Sequence, residues 1–343
     1  MKRRSKFNKV IFFFNAIAGL LLLSACAVPY ISDERFSFLS FLSLAVPVLV
    51  GINFVFLFYW LIQRRRQFWL SLFVLIFGYF SLGTFLTFKL TEEAVLEEDL
   101  SVMSFNVRSF NRFEQMDDPD IFENIKDFID KEQPDIICFQ ETGYKRKNEY
   151  LKNYPYQYLD YIYMKGKVLL GIFSKYPIIE RDLICFPGSP NNAAYADILY
   201  QNDTIRIYNV HLQSLGVTPG KGNISNQPKD KLFKKVTRRF SIQQQQTKMV
   251  EEHMKANPYK QILCGDFNNT QFSNAYHTIK GDKQDTFIEK GVGYGRTLNF
   301  HGLPMRIDFI MADAEFKVKS HKNYNEKYSD HYPIMASFEL DSD

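Results

Sequence analysis

Acids, amides and histidines occur in this chain at the ends of short apolar runs. Ends of buried strands meet at one rim of a sheet, where binding sites form on a rigid scaffold. The candidates for chemistry are Asn106, Glu141, His211, Asp266, Asn268, Asp308, Asp330 and His331. Carboxylate and amide oxygens bind hard cations, and histidines move protons near neutral pH. Each residue alone has an ordinary explanation as a turn former, a solvated acid or a core histidine, so the shared placement is the signal.

The runs that position these residues are short, apolar and typical of strands. Strands are predicted at Leu100–Asn106, Asp135–Gln140, Val168–Ser174, Ile205–His211, Gln261–Gly265, Arg306–Met311 and Ile334–Leu340. Helical spacing predicts helices at Ile121–Glu132 and at about 229–256. The first helix lies between two strands, whereas later strands follow one another directly. This mixed order predicts an α/β fold of two packed sheets with helices outside.

Six motifs along this part of the chain carry a resemblance to a known family. In chain order they are Ser104–Val107 (SFNV), Phe139–Glu141 (FQE), Asn209–Leu212 (NVHL), Gly265–Asn268 (GDFN), Arg306–Ile310 (RIDFI) and Ser329–Pro333 (SDHYP). Together they resemble the successive motifs of the endonuclease/exonuclease/phosphatase superfamily, which includes deoxyribonuclease I and neutral sphingomyelinases. The resemblance spans about residues 100–340. It implies a four-layer α/β/β/α sandwich of two mixed sheets and cleavage of phosphoester bonds assisted by a metal ion.

The resemblance also implies roles for the metal ligands. Glu141 is the first expected ligand, Asn106 contributes a carbonyl oxygen or orients Glu141, and Asp330 is the next candidate. Mg²⁺ is the expected ion, with Mn²⁺ as an alternative, because Mg²⁺ takes oxygen ligands and few protein carboxylates.

By the same resemblance the remaining residues act on the substrate. Asp266 acts on the attacking water and Asn268 orients the phosphate. His331 contacts a phosphoryl oxygen, and Asp308 fixes the tautomer of its ring. His211 either binds the scissile phosphate or assists the leaving oxygen as an acid, and the sequence leaves these two roles open.

The first ninety residues have a different character. Apolar runs at about 10–31, 38–62 and 68–88 are each close to the length of about 20 residues that spans a bilayer. They predict three transmembrane helices, against the alternative of a buried helical core. Basic clusters precede the first run and separate the second from the third. The positive-inside rule places both clusters in the cytoplasm and everything after about residue 89 on the other side.

The sequence therefore predicts a membrane region at 1–90, an acidic tether at 91–99 and a catalytic domain at 100–343. Residues 1–90 hold ten bases and two acids, whereas the rest holds 32 bases and 36 acids. This division argues against a uniformly basic nucleic-acid binder. A cleaved signal peptide with a lipoprotein-like site at Leu23–Cys26 is the competing interpretation of the first run.

Several features bear on the substrate. Arg108 stands where abasic-site endonucleases of the superfamily carry an acid, which disfavours DNA repair. A glycosylation sequon at Asn268 would block the proposed site in a eukaryotic secretory setting, so a bacterial inner-membrane protein facing the periplasm fits better. The basic stretch 229–239 fits nucleic-acid phosphates, anionic lipid or a solvated helix face.

The predicted function is a membrane-anchored, metal-dependent phosphodiesterase or nuclease-like hydrolase. The substrate is a nucleic acid or a lipid headgroup, and the bilayer is contacted through the N-terminal helices. Alternatives are a lipid-headgroup phosphodiesterase of sphingomyelinase type and a catalytically silent binding module of the same fold. No protein partner is predicted.

Overall fold

The computed structural model describes residues 2–88, 94–96, 98–111, 116, 118–143, 152–160, 169–216, 228–300 and 302–340. The chain divides into two compact units. One contains Met1–Phe85 and Asn269–His277, and the other contains Leu86–Asn268 and Thr278–Asp343. Residues 91–93 and 97 of the predicted tether at 91–99 fall outside the described residues.

The first unit is built on three apolar helices: α1 (Lys2–Ala27), α2 (Phe41–Ile62) and α3 (Phe68–Leu82). Two segments, Lys6–Tyr30 and Glu34–Ile62, are long and apolar enough to cross a membrane, with mean hydropathies of 2.3 and 2.4. Only 33% and 28% of their most apolar windows are buried. A helix from a soluble core would hide most of its apolar surface, so these helices present theirs outward.

The third predicted span is shorter than expected. The apolar run continues to Phe88, but α3 has 15 residues and ends at Leu82. Gly83 follows with a φ of 73°, a left-handed conformation that terminates a helix without steric cost. At 1.5 Å per residue the helix is about 22 Å long, less than the hydrocarbon thickness of about 30 Å. The structure thus has two helices of membrane-spanning length where the sequence predicted three, and the third apolar helix is shorter.

Polar side chains inside the helices find partners on neighbouring helices. Asn15 Nδ2 donates to Ser71 Oγ at 2.8 Å, and Trp60 Nε1 donates to Asn15 Oδ1 at 2.9 Å. Asn53 Nδ2 donates to the Ala18 carbonyl at 3.2 Å and to the Leu49 carbonyl within its own helix at 2.9 Å. These bonds join α1, α2 and α3, and they pair polar groups that lie among apolar helices.

The helices also hold a distant segment of the chain, Asn269–His277. Phe272 is 3% exposed and belongs to the apolar cluster of the helices. Thr270 Oγ1 donates to the Ser43 carbonyl at 3.1 Å, and Asn274 Nδ2 donates to the Pro29 carbonyl at 2.9 Å. The nine residues that follow the GDFN motif are therefore part of the helical unit.

The second unit contains the strands and most of the remaining helices. Its helices are α4 (Ile121–Glu132), α5 (Lys229–Lys255) and α7 (Thr286–Lys290), and α6 (Asn274–Lys280) begins in the helical unit. The strands of the first half are β1 (Leu100–Asn106), β2 (Ile136–Thr142), β3 (Tyr156–Asp160), β4 (Leu169–Ser174), β5 (Ile178–Cys185), β6 (Asn192–Tyr200) and β7 (Asp203–His211). The strands of the second half are β8 (Lys260–Asp266), β9 (Gln284–Asp285), β10 (Leu298–Phe300), β11 (Leu303–Met305), β12 (Asp308–Ala312), β13 (Phe316–Asn323) and β14 (Ile334–Leu340).

Two mixed sheets form the centre of this unit. Over the described residues, one sheet has the order β13-β14-β1-β2-β4-β3 and the other β5-β6-β7-β8-β12-β9. β1 and β2 are parallel, as are β7 and β8, and the other neighbours are antiparallel. Apolar side chains of both sheets form one core, while α4 covers the outer face of the first sheet. α5 covers the second, where Gln261 Nε2 donates to the Met254 carbonyl at 2.8 Å. The layers follow the predicted α/β/β/α order.

The predicted strands are present, most of them with shifted ends. β1 and β14 have their predicted bounds, whereas the strand predicted to begin at Arg306 begins at Asp308. Val168, the first residue of another predicted strand, lies outside the described residues. The sequence did not reveal β6, which is rich in alanine and yet buried along most of its length, because alanine has low β-propensity and occurs equally in helices.

Candidate active site

Three neighbouring strands bring three of the candidate residues side by side. β7 and β8 pair His211 with Asp266, and β8 and β12 pair Asp266 with Asp308. All three side chains are buried. Strand ends separated by 55 and 42 positions in the chain thus become adjacent at one edge of the second sheet, because register fixes which residues face each other.

The first sheet contributes Asn106 and Glu141. Asn106 ends β1, and its Nδ2 donates to Glu141 Oε1 at 3.2 Å and to Asp266 Oδ2 at 3.0 Å. The register of β2 shifts between Phe139 and Thr142, and Glu141 has a φ of 51°. A bulge of this kind turns a side chain away from the regular pleat. The amide of Asn106 therefore links the acids of the two sheets.

Two buried side-chain amides connect the two sheets next to Asn106 and Glu141. Gln140 Nε2 donates to Asn209 Oδ1 at 2.7 Å. Asn209 Nδ2 donates in turn to the carbonyls of Phe139 at 2.9 Å and Gly171 at 3.0 Å. Since a buried polar group without a partner is costly, these bonds fix how the sheets meet beneath the candidate site.

His331 and Asp308 form a hydrogen-bonded pair. His331 Nδ1 lies 3.0 Å from Asp308 Oδ2, and His331 Nε2 lies 3.7 Å from Asp266 Oδ2. Burial by itself would lower the pKa of His331, but the negative charges of Asp308 and Asp266 and the bond to Asp308 hold that pKa well above its usual value. This shift favours the imidazolium form, in which both nitrogens carry protons and Nδ1 donates to Asp308.

Asp266 is the most enclosed acid of the group. Burial, opposed by the charge of His331 and assisted by that of Asp308, raises the pKa of Asp266 to about 6. The backbone N–H of Asn268 donates to Asp266 Oδ1 at 2.7 Å. Asn268 adopts a φ of 50°, and its Nδ2 donates to the Leu212 carbonyl at 3.1 Å. Asn268 Nδ2 also donates to Asp266 Oδ2 at 3.3 Å, so the loop after β8 holds both oxygens of Asp266.

The ring nitrogens of His211 have no hydrogen-bond partner among the described residues. Both ring nitrogens are buried and unbonded, and Nε2 lies 3.6 Å from Asp266 Oδ2 and 3.8 Å from Glu141 Oε1. Its strand neighbour Asn192 also has a buried side-chain amide with no partner. Sequence reasoning missed Asn192, which lies at the start of the alanine-rich strand β6. Two orphaned polar side chains on facing strands indicate a place where a polar ligand binds.

Asp330 is paired with a residue that was not among the site candidates. Arg108 Nη1 lies 2.5 Å from Asp330 Oδ2, and the backbone N–H of Arg108 donates to Asn106 Oδ1 at 3.1 Å. The four residues 108–111 all have positive φ, and this left-handed turn returns Arg108 toward the motif that contains Asp330. The sequence showed the basic residue, but the turn that brings it to Asp330 has no sequence signature.

Two sets of donors are relevant to a metal ion. Asp266, Asp308 and His331 offer ligand atoms within 4.8 Å of one another. Asp308 is already bonded to His331, so this set resembles an acid–base group. Glu141, whose side chain is 35% exposed, and the neighbouring amide Asn106 offer hard oxygen donors.

Comparison with known proteins agrees with the family resemblance of the motifs. Residues 103–331 match the model of the Endonuclease/Exonuclease/phosphatase family, and residues 8–85 match a domain of unknown function, DUF8431. No curated protein matches the chain.

Solved structures share the fold of the second unit. An endonuclease/exonuclease/phosphatase from Bacteroides vulgatus is 20% identical, with a TM-score of 0.54 over 71% of this chain and 99% of that one. The human Nocturnin catalytic domain with bound sulfate is 15% identical, with a TM-score of 0.54 over 71% and 94%. D. rerio TDP2 complexed with a single-strand DNA product is 17% identical, with a TM-score of 0.52 over 71% and 99%.

Proposed function

The chain belongs to the endonuclease/exonuclease/phosphatase family, and from this premise we propose that it is a membrane-anchored, divalent-metal-dependent phosphoesterase. One observation carries the proposal. Asp266 Oδ2 lies within 3.7 Å of the amide of Asn106 and of one ring nitrogen each of His211 and His331. A carboxylate at this position can accept a proton from a water that attacks a phosphoester, while the surrounding donors stabilise the negative charge of the phosphate.

In this proposal Asp266 accepts the proton of the attacking water. A pKa raised by burial to about 6 makes the carboxylate a stronger base than a solvated aspartate while it remains ionised at neutral pH. The bond from the Asn268 N–H fixes the orientation of the carboxylate. The proposed role of Asn268 is to orient the phosphate, since its side-chain amide lies 3.3 Å from Asp266 Oδ2.

The two histidines bind the charge that the phosphate brings. His331, kept cationic by Asp308, donates through Nε2 to a phosphoryl oxygen. His211 either binds the scissile phosphate or protonates the leaving oxygen, and its unbonded nitrogens leave both roles available. Asp308 acts through His331 by fixing its ring, so it is a positioning residue.

Glu141, Asn106 and Asp330 are the proposed metal ligands. The donors fit Mg²⁺ or Mn²⁺, because they are oxygens and because Glu141 is open enough for the ion to keep some of its waters. When bound, the ion supplies neutralisation of the phosphate charge. Asp330 forms an ion pair with Arg108, so its carboxylate oxygen binds the ion only after it separates from Arg108.

We further propose that the helical unit anchors the enzyme and that its catalytic region is extracytoplasmic. The basic residues in the first turns of α1 and the run Arg64–Arg66 after α2 both fit the cytoplasmic side under the positive-inside rule. The remainder of the chain is then outside only if α3 also crosses, which at its length requires local thinning of the bilayer. A reporter fused after Asp343 tests this topology. Activity of alkaline phosphatase supports it, whereas fluorescence of a cytoplasm-only reporter without phosphatase activity refutes it.

Activity is tested on the full chain in detergent, because Asn269–His277 pack with the helices and would lose those partners in a truncated protein. Single- and double-stranded DNA, RNA, sphingomyelin, phosphatidyl lipids and inositol phosphates are offered with Mg²⁺ or with EDTA. Hydrolysis that requires the metal and is lost in Asp266→Asn is the expected result. Hydrolysis of lipid alone selects the sphingomyelinase-type alternative. Absence of hydrolysis on every substrate selects the silent binding module.

A further inference from the structure

A second concave surface lies beside the candidate active site, on the same unit. It is a cavity of about 470 Å³, here named the α5 cavity. Its lining consists of four cations, an amide and one apolar residue: Lys234, Lys235, Arg238, Arg239, Gln213 and Ile242. The cations extend over six residues of one helix, about 7.5 Å from the first to the last.

The positive charge of the α5 cavity is not neutralised by acids of the helix that supplies it. Residues 229–239 contain a single acid, Asp230. Within the described part of the chain, the ion pair of α5 is Lys255 with Glu251, about four turns from the cavity. Arg239 Nη1 donates to the Ser214 carbonyl at 2.9 Å, and burial lowers the pKa of that guanidinium. The cavity therefore has positive potential to offer an anion.

The cavity is joined to the active site through Gln213. Gln213 lines the cavity and follows His211 by two residues, about 7 Å of extended chain. Gln243 of α5 donates through Nε2 to the carbonyls of Gln213 at 2.7 Å and Phe267 at 3.3 Å. One amide thus fixes α5 to both strand ends that contain the candidate catalytic groups. A ligand in the cavity is consequently held at a set distance from His211.

We propose that the α5 cavity binds a phosphate of a nucleic-acid strand next to the phosphate that is cleaved, which names the substrate class of the proposed phosphoesterase and rests on that function. A strand carries a phosphate at every nucleotide, whereas a sphingomyelin-type headgroup has one phosphate, the one attacked. Arg238 and Arg239 present guanidinium groups that bind two phosphate oxygens at once. The concave surface admits a narrow strand better than the flat face of a bilayer.

Binding tests the proposal directly. The full chain in neutral detergent with EDTA is titrated into a fluorescein-labelled ten-nucleotide DNA strand, and anisotropy is measured. Lys234→Glu and Arg238→Glu are each expected to weaken binding at least tenfold and to reduce the salt slope by about 0.7 per lost contact. The matched control is Lys248→Glu, an equal charge reversal at an exposed position of α5 outside the cavity, which should stay within about twofold.

Hydrolysis assays distinguish a failure of the cavity proposal from a failure of the proposed function. Bis(p-nitrophenyl) phosphate has one phosphate and cannot reach the cavity, so the variants should cleave it as the unaltered chain does while cleaving the DNA strand at least tenfold more slowly. If the unaltered chain cleaves neither compound, the proposed function fails and the anisotropy still decides the cavity. Unchanged DNA binding in both variants overturns the proposal. Loss of binding to phosphatidylglycerol micelles with DNA binding intact overturns it in favour of a lipid.

Discussion

Asp308 and Asp266 are direct register partners on antiparallel strands, and the ring of His331 lies against both of them. Two buried carboxylates this close would repel each other if they had no cation to share. The structure provides one, since its charge interactions with the two acids keep His331 protonated. The arrangement separates the roles of the acids: Asp308 is bonded to the ring, whereas Asp266 Oδ2 accepts from the amides of Asn106 and Asn268 and lies 3.7 Å from His331 Nε2.

Loss of the central acid should remove catalysis without unfolding the protein. We predict that Asp266→Asn and His331→Ala each lower kcat by at least about 10²-fold, the usual contribution of an acid–base group. Circular dichroism and thermal unfolding should remain close to those of the unaltered chain. Asp182→Asn, at an exposed strand position, is the control. Near-normal turnover in either variant refutes the role assigned to that residue.

Asp308 should act through the state of His331. In Asp308→Asn the ring loses the charge that keeps it protonated, so we predict that kcat falls by about 10-fold or more with little change in KM. The NMR shift of the His331 ring should show a lower pKa than in the unaltered chain. An unchanged His331 titration in a variant with reduced kcat contradicts the positioning role.

The requirement for a metal ion should depend on Glu141, the partly exposed acid of the site. We predict that EDTA abolishes hydrolysis, and that Glu141→Gln raises the Mg²⁺ concentration for half-maximal activity by about 10-fold or more, because a neutral amide binds a hard cation more weakly than a carboxylate does. Asp330→Asn should have the same direction of effect. Identical Mg²⁺ curves for Glu141→Gln and the unaltered chain would falsify its assignment as a ligand.

Stability should fall in mild acid because of a partly buried histidine outside the active site, His321. Burial, with a further contribution from Arg306 against the opposing charge of Asp285, lowers the pKa of His321 to about 4. Thr286 Oγ1 donates to the Ile310 carbonyl and lies 2.7 Å from His321 Nδ1, so that nitrogen donates to the hydroxyl.

The unfolded chain, with a histidine pKa near 6.5, binds this proton first as the pH falls. The contribution of His321 is therefore complete above about pH 6.5 and is lost progressively toward pH 4, by about 3 kcal/mol in all. His321→Asn keeps a donor for Thr286 and does not titrate. We predict a flatter loss of the free energy of unfolding between pH 6.5 and 4 in that variant, measured by denaturant titration. An equal slope in both proteins contradicts the prediction.

The segment after the GDFN motif should depend on the helices for its order. Phe272→Ala removes a ring that is 3% exposed in their apolar cluster, which typically costs about 3–5 kcal/mol. We predict faster proteolysis within 269–277 in the full chain and reduced turnover, since Asn269 is the next residue after Asn268. The exposed Tyr259→Ala is the control. A protease pattern like that of the unaltered chain contradicts the prediction.

Local patterns were sufficient for much of the fold. Apolar runs bounded by turn residues predicted β1 and β14 with the bounds that the structure has, and helical spacing predicted α4. Hydropathy predicted the first two long helices but overestimated α3, because apolar composition continues beyond Gly83 while the helix does not. Strand β6 was not predicted, because its alanines give no periodicity that distinguishes a strand from a helix.

The sequence by itself determined which residues are chemically capable and in what order they occur, because side-chain type and motif order are properties of the chain. Which groups touch was decided by tertiary structure. Asn106 and Asp266 are 160 positions apart and share a hydrogen bond, and Arg108 meets Asp330 across 222 positions. Such contacts depend on strand register and sheet packing, which sum many weak interactions over the whole domain, and no local stretch of sequence contains that sum.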